Sequence, residues 1–234
     1  MISIIIPVLN EAEGIGELLY HINSNGSASN IQEIIIVDGG SVDSTHLVVA
    51  QTSTELSIPI RFINSEKGRA VQMNNGAAQA SGDVLYFLHA DSFPPKHFDH
   101  QIMRVIDQGK VAGCFRMKFD SKHPVLRISQ WFTRFNVKYC RGGDQSLFVT
   151  NKVFEALNGY NKEYGIYEDC EFINRLYDQF DFTVLNDYII TSARKYNSNG
   201  TWKLQYHFTV IHLKKLLGAS PSKLQSYYDQ NIAS

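Results

Sequence analysis

Six short polar clusters interrupt an otherwise apolar chain, and their residue types could do chemistry. Asp91 directly follows the apolar run Val84 to Leu88, so a buried strand delivers a carboxylate to its carboxyl end, where packing alone would not put one. Such a carboxylate suits Mg²⁺ or Mn²⁺, which take one or two protein oxygens and complete their shells with diphosphate oxygens. His89, two residues earlier, could join as a neutral imidazole ligand, bond a phosphate or ribose, or sit satisfied in a turn. Asp38 closes a second apolar run, and Gly39 and Gly40 after it permit a tight turn and close approach to a ligand. Its carboxylate could accept from a base or ribose, or Asp38 and Ser41 could cap the next helix. A third run ends in Pro7, Asn10 and Glu11. Downstream, the glycines of Arg141-Gly142-Gly143-Asp144-Gln145 allow a sharp turn that either aims Asp144 and Gln145 at a sugar or acceptor or leaves a solvated β-turn. Glu168 and Asp169 open a helical pattern, where acids are favourable on electrostatic grounds alone, and Arg194 and Lys195 form a late basic pair.

These clusters fall where parallel strands would end. Ile2 to Ile6, Ile34 to Val37, Ile60 to Ile63 and Val84 to Leu88 are apolar enough for burial on both faces, with amphipathic stretches between them. That alternation predicts an α/β fold with a mostly parallel sheet flanked by crossover helices. Ligands of open parallel sheets bind beyond the strand carboxyl ends, so the clusters should converge on one nucleotide-sized cleft. Ile15, Leu18, Leu19 and Ile22 share a helix face, and Asn10 with Glu13 predicts a capping box at its start. Beyond Leu88 the alternation weakens. A strand and a Trp- and Phe-rich helix are expected between Gly113 and Asn151, then a helix from about Glu168 to Gln179. Strands near Phe182 to Leu185 and Ile189 to Thr191 follow, and Pro221 splits two terminal helices.

The length of 234 residues favours one α/β domain over two. A net charge of -1 offers no global field to a nucleic-acid backbone, so an anionic ligand must be held locally. Cys114, Cys140 and Cys170 are odd in number and widely spaced, which fits a reducing compartment better than a disulfide framework. The opening MISIIIPVLNE turns polar too early for a signal-peptide core, and no run approaches the ~18 apolar residues of a membrane span. A cytoplasmic protein is expected, with peripheral contact at the inner membrane face left open.

Taken together, SIIIPVLNEAEGI, EIIIVDGGSVDST, EKGRAVQMNNGAAQASGDVLYFLHADS, RGGDQSLFV and YGIYEDCEF resemble, in order, the motifs of family 2 glycosyltransferases, inverting enzymes of the GT-A fold. KGRAVQMNNGA, FLHAD, GGDQS and TSAR look like the compact radical-SAM/selenodomain-associated branch, a label that says little about substrate. The resemblance implies a Rossmann-like GT-A domain with C-terminal helices, a nucleotide-binding half at about 1–95 and an acceptor-side half at about 96–234, a UDP- or GDP-sugar donor, a hydroxyl acceptor that could be lipid-linked, and a divalent cation. It implies that Pro7, Asn10, Glu11, Lys67 and Arg69 line the nucleotide site, that Asp38 contacts base or ribose, and that Asp91 ligates metal on the diphosphate. His89 stands where the family more often has the first Asp of its metal motif. Of the Glu168-Asp169 pair, Asp169 is the expected general base, with Gly143, Asp144 and Gln145 placing sugar and acceptor and Arg194 holding diphosphate. A sugar nucleotidyltransferase would need a glycine-rich loop after the first strand, which Pro7-Val-Leu-Asn10-Glu11 does not supply. A non-catalytic nucleotide-sugar scaffold stays as the alternative that His89 makes conceivable.

Trp131, Phe132, Phe135 and Tyr139 lie near helical spacing beside Arg127, Arg134 and Lys138, and Leu204, Phe208, Ile211 and Leu216 do the same beside Lys203, Lys214 and Lys215. Either stripe could face the core, a second copy of the chain, a hydrophobic acceptor reached through Trp131, or a membrane surface.

Overall fold

The first seven elements alternate as the apolar runs predict: β1 (Ile2–Val8), α1 (Ile15–Asn25), β2 (Ile31–Asp38), α2 (Thr45–Ser53), β3 (Ile60–Asn64), α3 (Arg69–Ala78) and β4 (Val84–Phe87). Then come β5 (Ser92–Phe93), α4 (Phe98–Asp107), β6 (Ala112–Phe119) and α5 (Pro124–Phe132), followed by 3-10 turns at Lys138–Cys140 and Gly143–Gln145. β7 (Leu147–Thr150), α6 (Asn151–Ala156), α7 (Glu168–Gln179), β8 (Phe182–Thr191), α8 (Arg194–Asn199), α9 (Thr201–Leu216) and α10 (Pro221–Asn231) complete the chain. This computed structural model describes residues 1–232.

The eight strands form one mixed sheet in the order β3-β2-β1-β4-β7-β6-β8-β5. β1, β2, β3 and β4 pair in parallel, and β7 joins β4 antiparallel. The parallel strands therefore end together along one edge. Strand alternation sends Ile2, Ile4 and Ile6 against α1 and α4, while Ile5, Ile35 and Val37 face α3 and α7. Each fully buried Ile contributes about 1.5–3 kcal/mol, which fixes the register and with it the strand ends.

Three sequence expectations change. The capping box at Asn10 and Glu13 does not form: α1 starts at Ile15 behind Gly14, without a side-chain cap. Asn10 instead adopts a left-handed φ of 56° and bridges to the β2 turn, accepting from the Val42 N–H at 2.8 Å and donating its own N–H to Ser41 Oγ at 2.8 Å. The two strands expected over 182–191 are one strand whose pairing with β6 jumps from Leu185 to Tyr188, leaving Asn186 and Asp187 as a bulge. Finally, the aromatic helix stops at Phe132, so Phe135 and Tyr139 lie beyond it rather than in one helical stripe with Trp131.

Candidate active site

Close packing of α3 on the sheet sets the ends of β1 and β2. A Cβ on Gly76 would lie 2.5 Å from Ile5 Cγ2, so glycine lets α3 approach β1 closely. That approach buries Gln72, whose side-chain amide donates to the carbonyls of Val8 (2.9 Å) and Val37 (2.8 Å) and so ties the ends of β1 and β2 together. Sequence reasoning missed Gln72; the signal was a lone amide on the buried face of an amphipathic helix, three residues after Arg69. The Asp38 carboxylate turns back on its own loop, accepting from the Gly40 and Ser41 N–H groups (3.1 and 3.0 Å) and from the Ser41 hydroxyl. Gly40 there has φ 93°, a left-handed conformation that favours glycine.

A second constellation surrounds His89, just past β4. Its Nδ1 lies 3.5 Å from Asp144 Oδ1 and its Nε2 lies 3.4 Å from Asp169 Oδ2. Burial alone would lower the affinity of this imidazole for its second proton. The two carboxylates outweigh burial and hold the pKa at about 10, so His89 is an imidazolium at neutral pH. Both ring nitrogens face acids, one on each side of the ring. Burial likewise pushes the Asp144 carboxyl up, and the His89 imidazolium more than offsets it, holding Asp144 below the ordinary carboxylate range.

Helix α7 brings the remaining acids. Phe172, Ile173 and Leu176 seat it in the core, and Tyr167 at its N-cap has a left-handed φ of 70°, which turns Glu168 and Asp169 inward in the first turn. Glu168 is raised to about 7, first by burial and then by the neighbouring Asp169 charge. Its Oε1 lies 3.6 Å from Arg69 Nη1 and has no hydrogen-bond partner. For Arg69 itself, burial opposes the charge and the Glu168, Asp169 and Asp144 carboxylates more than compensate.

Asp91 belongs to a third group. Its backbone carbonyl accepts from the Ser192 N–H at 3.1 Å, and its carboxylate enters no hydrogen bond or ion pair among the described residues. Asp120 caps the start of α8 by accepting from the Ala193 N–H (2.6 Å), which sets Arg194 opposite the first loop. Arg194 pairs with Glu11 at 3.1 Å, and its charge is further favoured by Asp91. Asp91, Arg194 and Glu11 thus share one neighbourhood, two residues along the chain from His89.

Other expected site residues stand apart from these groups. Gln145 is buried behind the site, accepting from the Arg141 guanidinium at 2.5 Å and donating to the Cys140 carbonyl at 2.8 Å, so it braces the turn rather than facing a ligand. Gly143 belongs to that turn. Pro7 lies buried within β1, paired with Val37, and Lys67 is exposed. Trp131 sits on the outer surface of α5, 46% exposed, against Phe132 and Phe135. A hollow of about 620 Å³ beside α6 and α7 contains none of the charged strand-end residues. Its Arg175 is already committed to the carbonyls of Leu157 and Gly159 and to Glu171.

A sheet with helices on both faces and acids gathered beyond its fourth strand defines the GT-A glycosyltransferase fold. Solved structures agree. A Pyrobaculum calidifontis mannosyltransferase, PcManGT, in complex with GDP-Man and Mn²⁺ superposes with a TM-score of 0.72 at 17% identity, over 94% of this chain and 64% of that one. S. aureus TarS in complex with UDP-GlcNAc gives 0.69 at 20% identity, over 82% and 58%. By sequence the chain belongs to glycosyl transferase family 2, which matches residues 3–163. Among curated relatives, glycosyltransferase AglE of Haloferax volcanii is 36% identical over 40% of this chain and 31% of its own length. A dolichol-phosphate mannosyltransferase of Pyrococcus furiosus is 31% identical over 46% and 30%. The matches thus span about a third of these two relatives.

Proposed function

We propose that the protein transfers a sugar from a nucleoside diphosphate donor, UDP- or GDP-linked, to an acceptor hydroxyl with inversion at the anomeric carbon. The observation that carries this reading is the His89 bridge: one side chain past β4 holds Asp144 and Asp169 within 3.5 Å, two residues along the chain from Asp91. The whole chain is read as one domain, donor side first and acceptor side second. The dolichol phosphate named for the Pyrococcus furiosus relative makes a lipid-linked acceptor the reading to test first.

Asp169 is assigned as general base. Its Oδ2 faces His89, and Oδ1 enters no ion pair or hydrogen bond among the described residues, so one oxygen remains to take the acceptor proton as the hydroxyl oxygen attacks C1 and the C1–O bond to the diphosphate breaks. Glu168, although closer to neutral in pKa, has a side chain only 2% exposed behind Arg69, and cannot meet an acceptor. Its role is to hold Arg69 toward the donor. Asp91 fits a divalent cation, being an oxygen ligand with no competing partner. Among the described residues no closed set of three metal-binding side chains forms, so donor phosphates would have to complete the shell. Such a cation would supply charge neutralisation for the departing diphosphate. Asp38 shapes the loop that meets base and ribose, while Arg194, released from Glu11, would bind diphosphate.

A thermal-shift panel of UDP-, GDP-, CMP- and TDP-sugars with and without Mn²⁺ tests the donor, because a ligand that binds only the folded form raises its stability. Release of nucleoside diphosphate supports transfer. Pyrophosphate would point to a nucleotidyltransferase, and binding without turnover across an acceptor panel to a scaffold.

A further inference from the structure

The charges of this chain are unevenly placed. Segments 121–143 and 188–228 contain eleven of its 22 Lys and Arg residues and none of its 23 Asp and Glu residues. The same two segments hold twelve of the sixteen exposed large hydrophobic side chains among the described residues. A chain of net charge -1 thus carries a face that is both cationic and apolar.

Packing explains why these apolar groups are not simply misplaced core. Along α9, Leu204 and Ile211 are buried and Phe208 packs against the core, which satisfies one face of the helix. Trp202, Tyr206, Leu213 and Leu216 recur at intervals of four, seven and three on the outward side, from 53% to 72% exposed, forming a second apolar stripe that folding leaves uncovered. The first segment adds Ile128, Trp131, Phe132 and, beyond α5, Phe135, Val137 and Tyr139, all at least 41% exposed. Trp131, Phe132 and Phe135 touch one another, with the Arg134 guanidinium 4.8 Å from the Trp131 ring. The two segments meet where His123, capping α5, packs edge-on against Trp202 at 6.1 Å.

We propose that this face docks the protein on an anionic phospholipid bilayer, with the aromatic and aliphatic groups entering the interface and the cations meeting lipid phosphates. Exposed Lys122, Arg127, Arg134 and Lys203 supply charge complementary to such a surface. Aromatic side chains with one polar end prefer the headgroup level, and long basic side chains snorkel to it. A second copy of the chain is a poorer occupant, since an isologous contact would set two segments rich in Lys and Arg against themselves, and of their cations only Lys138 and Arg194 meet acids in ion pairs among the described residues, Asp178 and Glu11. The face borders the site: Asp144 follows the first segment directly, and from α9 His212 reaches the hydroxyl of Tyr167, the residue before Glu168, at 3.2 Å. This goes beyond the transferase reading.

Both tryptophans of the chain, Trp131 and Trp202, lie on the proposed face, so intrinsic fluorescence reports it without a label. The protein should float with phosphatidylcholine vesicles that contain phosphatidylglycerol and not with phosphatidylcholine alone. Tryptophan emission should shift to the blue and be quenched by brominated acyl chains. Raising salt from about 0.1 M to about 1 M, which shortens the screening length from about 10 to about 3 Å, should release much of it. The double variant Trp202→Asp/Leu213→Asp should partition at least about tenfold less, with its melting temperature and donor hydrolysis unchanged. The proposal is overturned if no flotation occurs on anionic vesicles, if flotation leaves the emission unchanged, or if the double variant floats like the parent. A solution dimer that the same double variant dissociates, with no lipid binding by the parent, would assign the face to a second copy instead.

Discussion

The turns beyond β1 and β2 and the helices from α5 onward solve opposite problems. Around Asp38, polar groups are used locally: the carboxylate closes the 39–41 turn, Asn10 and Ser41 lock two loops together, and Gln72 ties two strand ends. From α5 onward, side chains that a core would bury are left outside, as at Trp202 and Leu217, 72% and 88% exposed. The first region is locked by its own hydrogen bonds, which suits the small donor proposed above. The second leaves apolar groups outside, which suits the bilayer proposed above. Between them, the His89 bridge draws Asp144 from the second region and Asp169 from α7 onto the end of β4.

That contrast can be broken at several points. Asp91→Asn should lower turnover about 10³-fold and abolish its dependence on Mn²⁺ or Mg²⁺, because charge compensation at the leaving group is worth several kcal/mol; steady-state rates against metal concentration check it. Gly76→Ala strikes the donor-side scaffold alone. The added methyl meets Ile5 and Val37, so unfolding free energy should fall by about 1–3 kcal/mol, readable as a denaturant midpoint shift. A pH series sharpens the picture at Glu168. Its carboxyl titrates near 7 in the folded chain against an ordinary 4.5, so the folded state keeps a proton that the unfolded state loses across that window. Stability should therefore decline as pH rises from about 4.5 to about 7, and Glu168→Gln should remove that part of the slope. Smallest of all, Ile128→Asp on the exposed helix surface should change folding stability by less than about 0.5 kcal/mol in the same denaturant assay.

How much of this was legible in the sequence follows the same divide. β-branched runs such as Ile2 to Ile6 and Ile34 to Val37 announced their strands because burial on both faces leaves little choice of residue, and the acids after them were readable as strand ends. The α7 start at Glu168 was equally plain. Pairings across long separations were not: nothing local says that His89 meets Asp144 and Asp169, so its role stayed open between a metal ligand, a phosphate or ribose partner and a satisfied turn histidine. The turn made by Asp38 with Ser41 competed with the role expected from the resemblance, since a carboxylate can close its own loop. The bulge at Asn186 and Asp187 looked like a strand end because polar residues interrupt the apolar pattern in either case. The outward stripe of α9 was only half visible, as Leu216 alone of that face was grouped with the buried Leu204 and Ile211.

The central claim is that strand-end acids hold one donor while Asp169 acts only on the acceptor. Calorimetric donor binding and single-turnover sugar transfer, measured together on the parent and on Asp169→Asn with the donor identified by thermal shift, test it most directly. The account predicts that the variant binds that donor with the parent's affinity and transfers sugar at least about 10²-fold more slowly. Transfer at the parent's rate, or loss of donor binding in step with transfer, would contradict it.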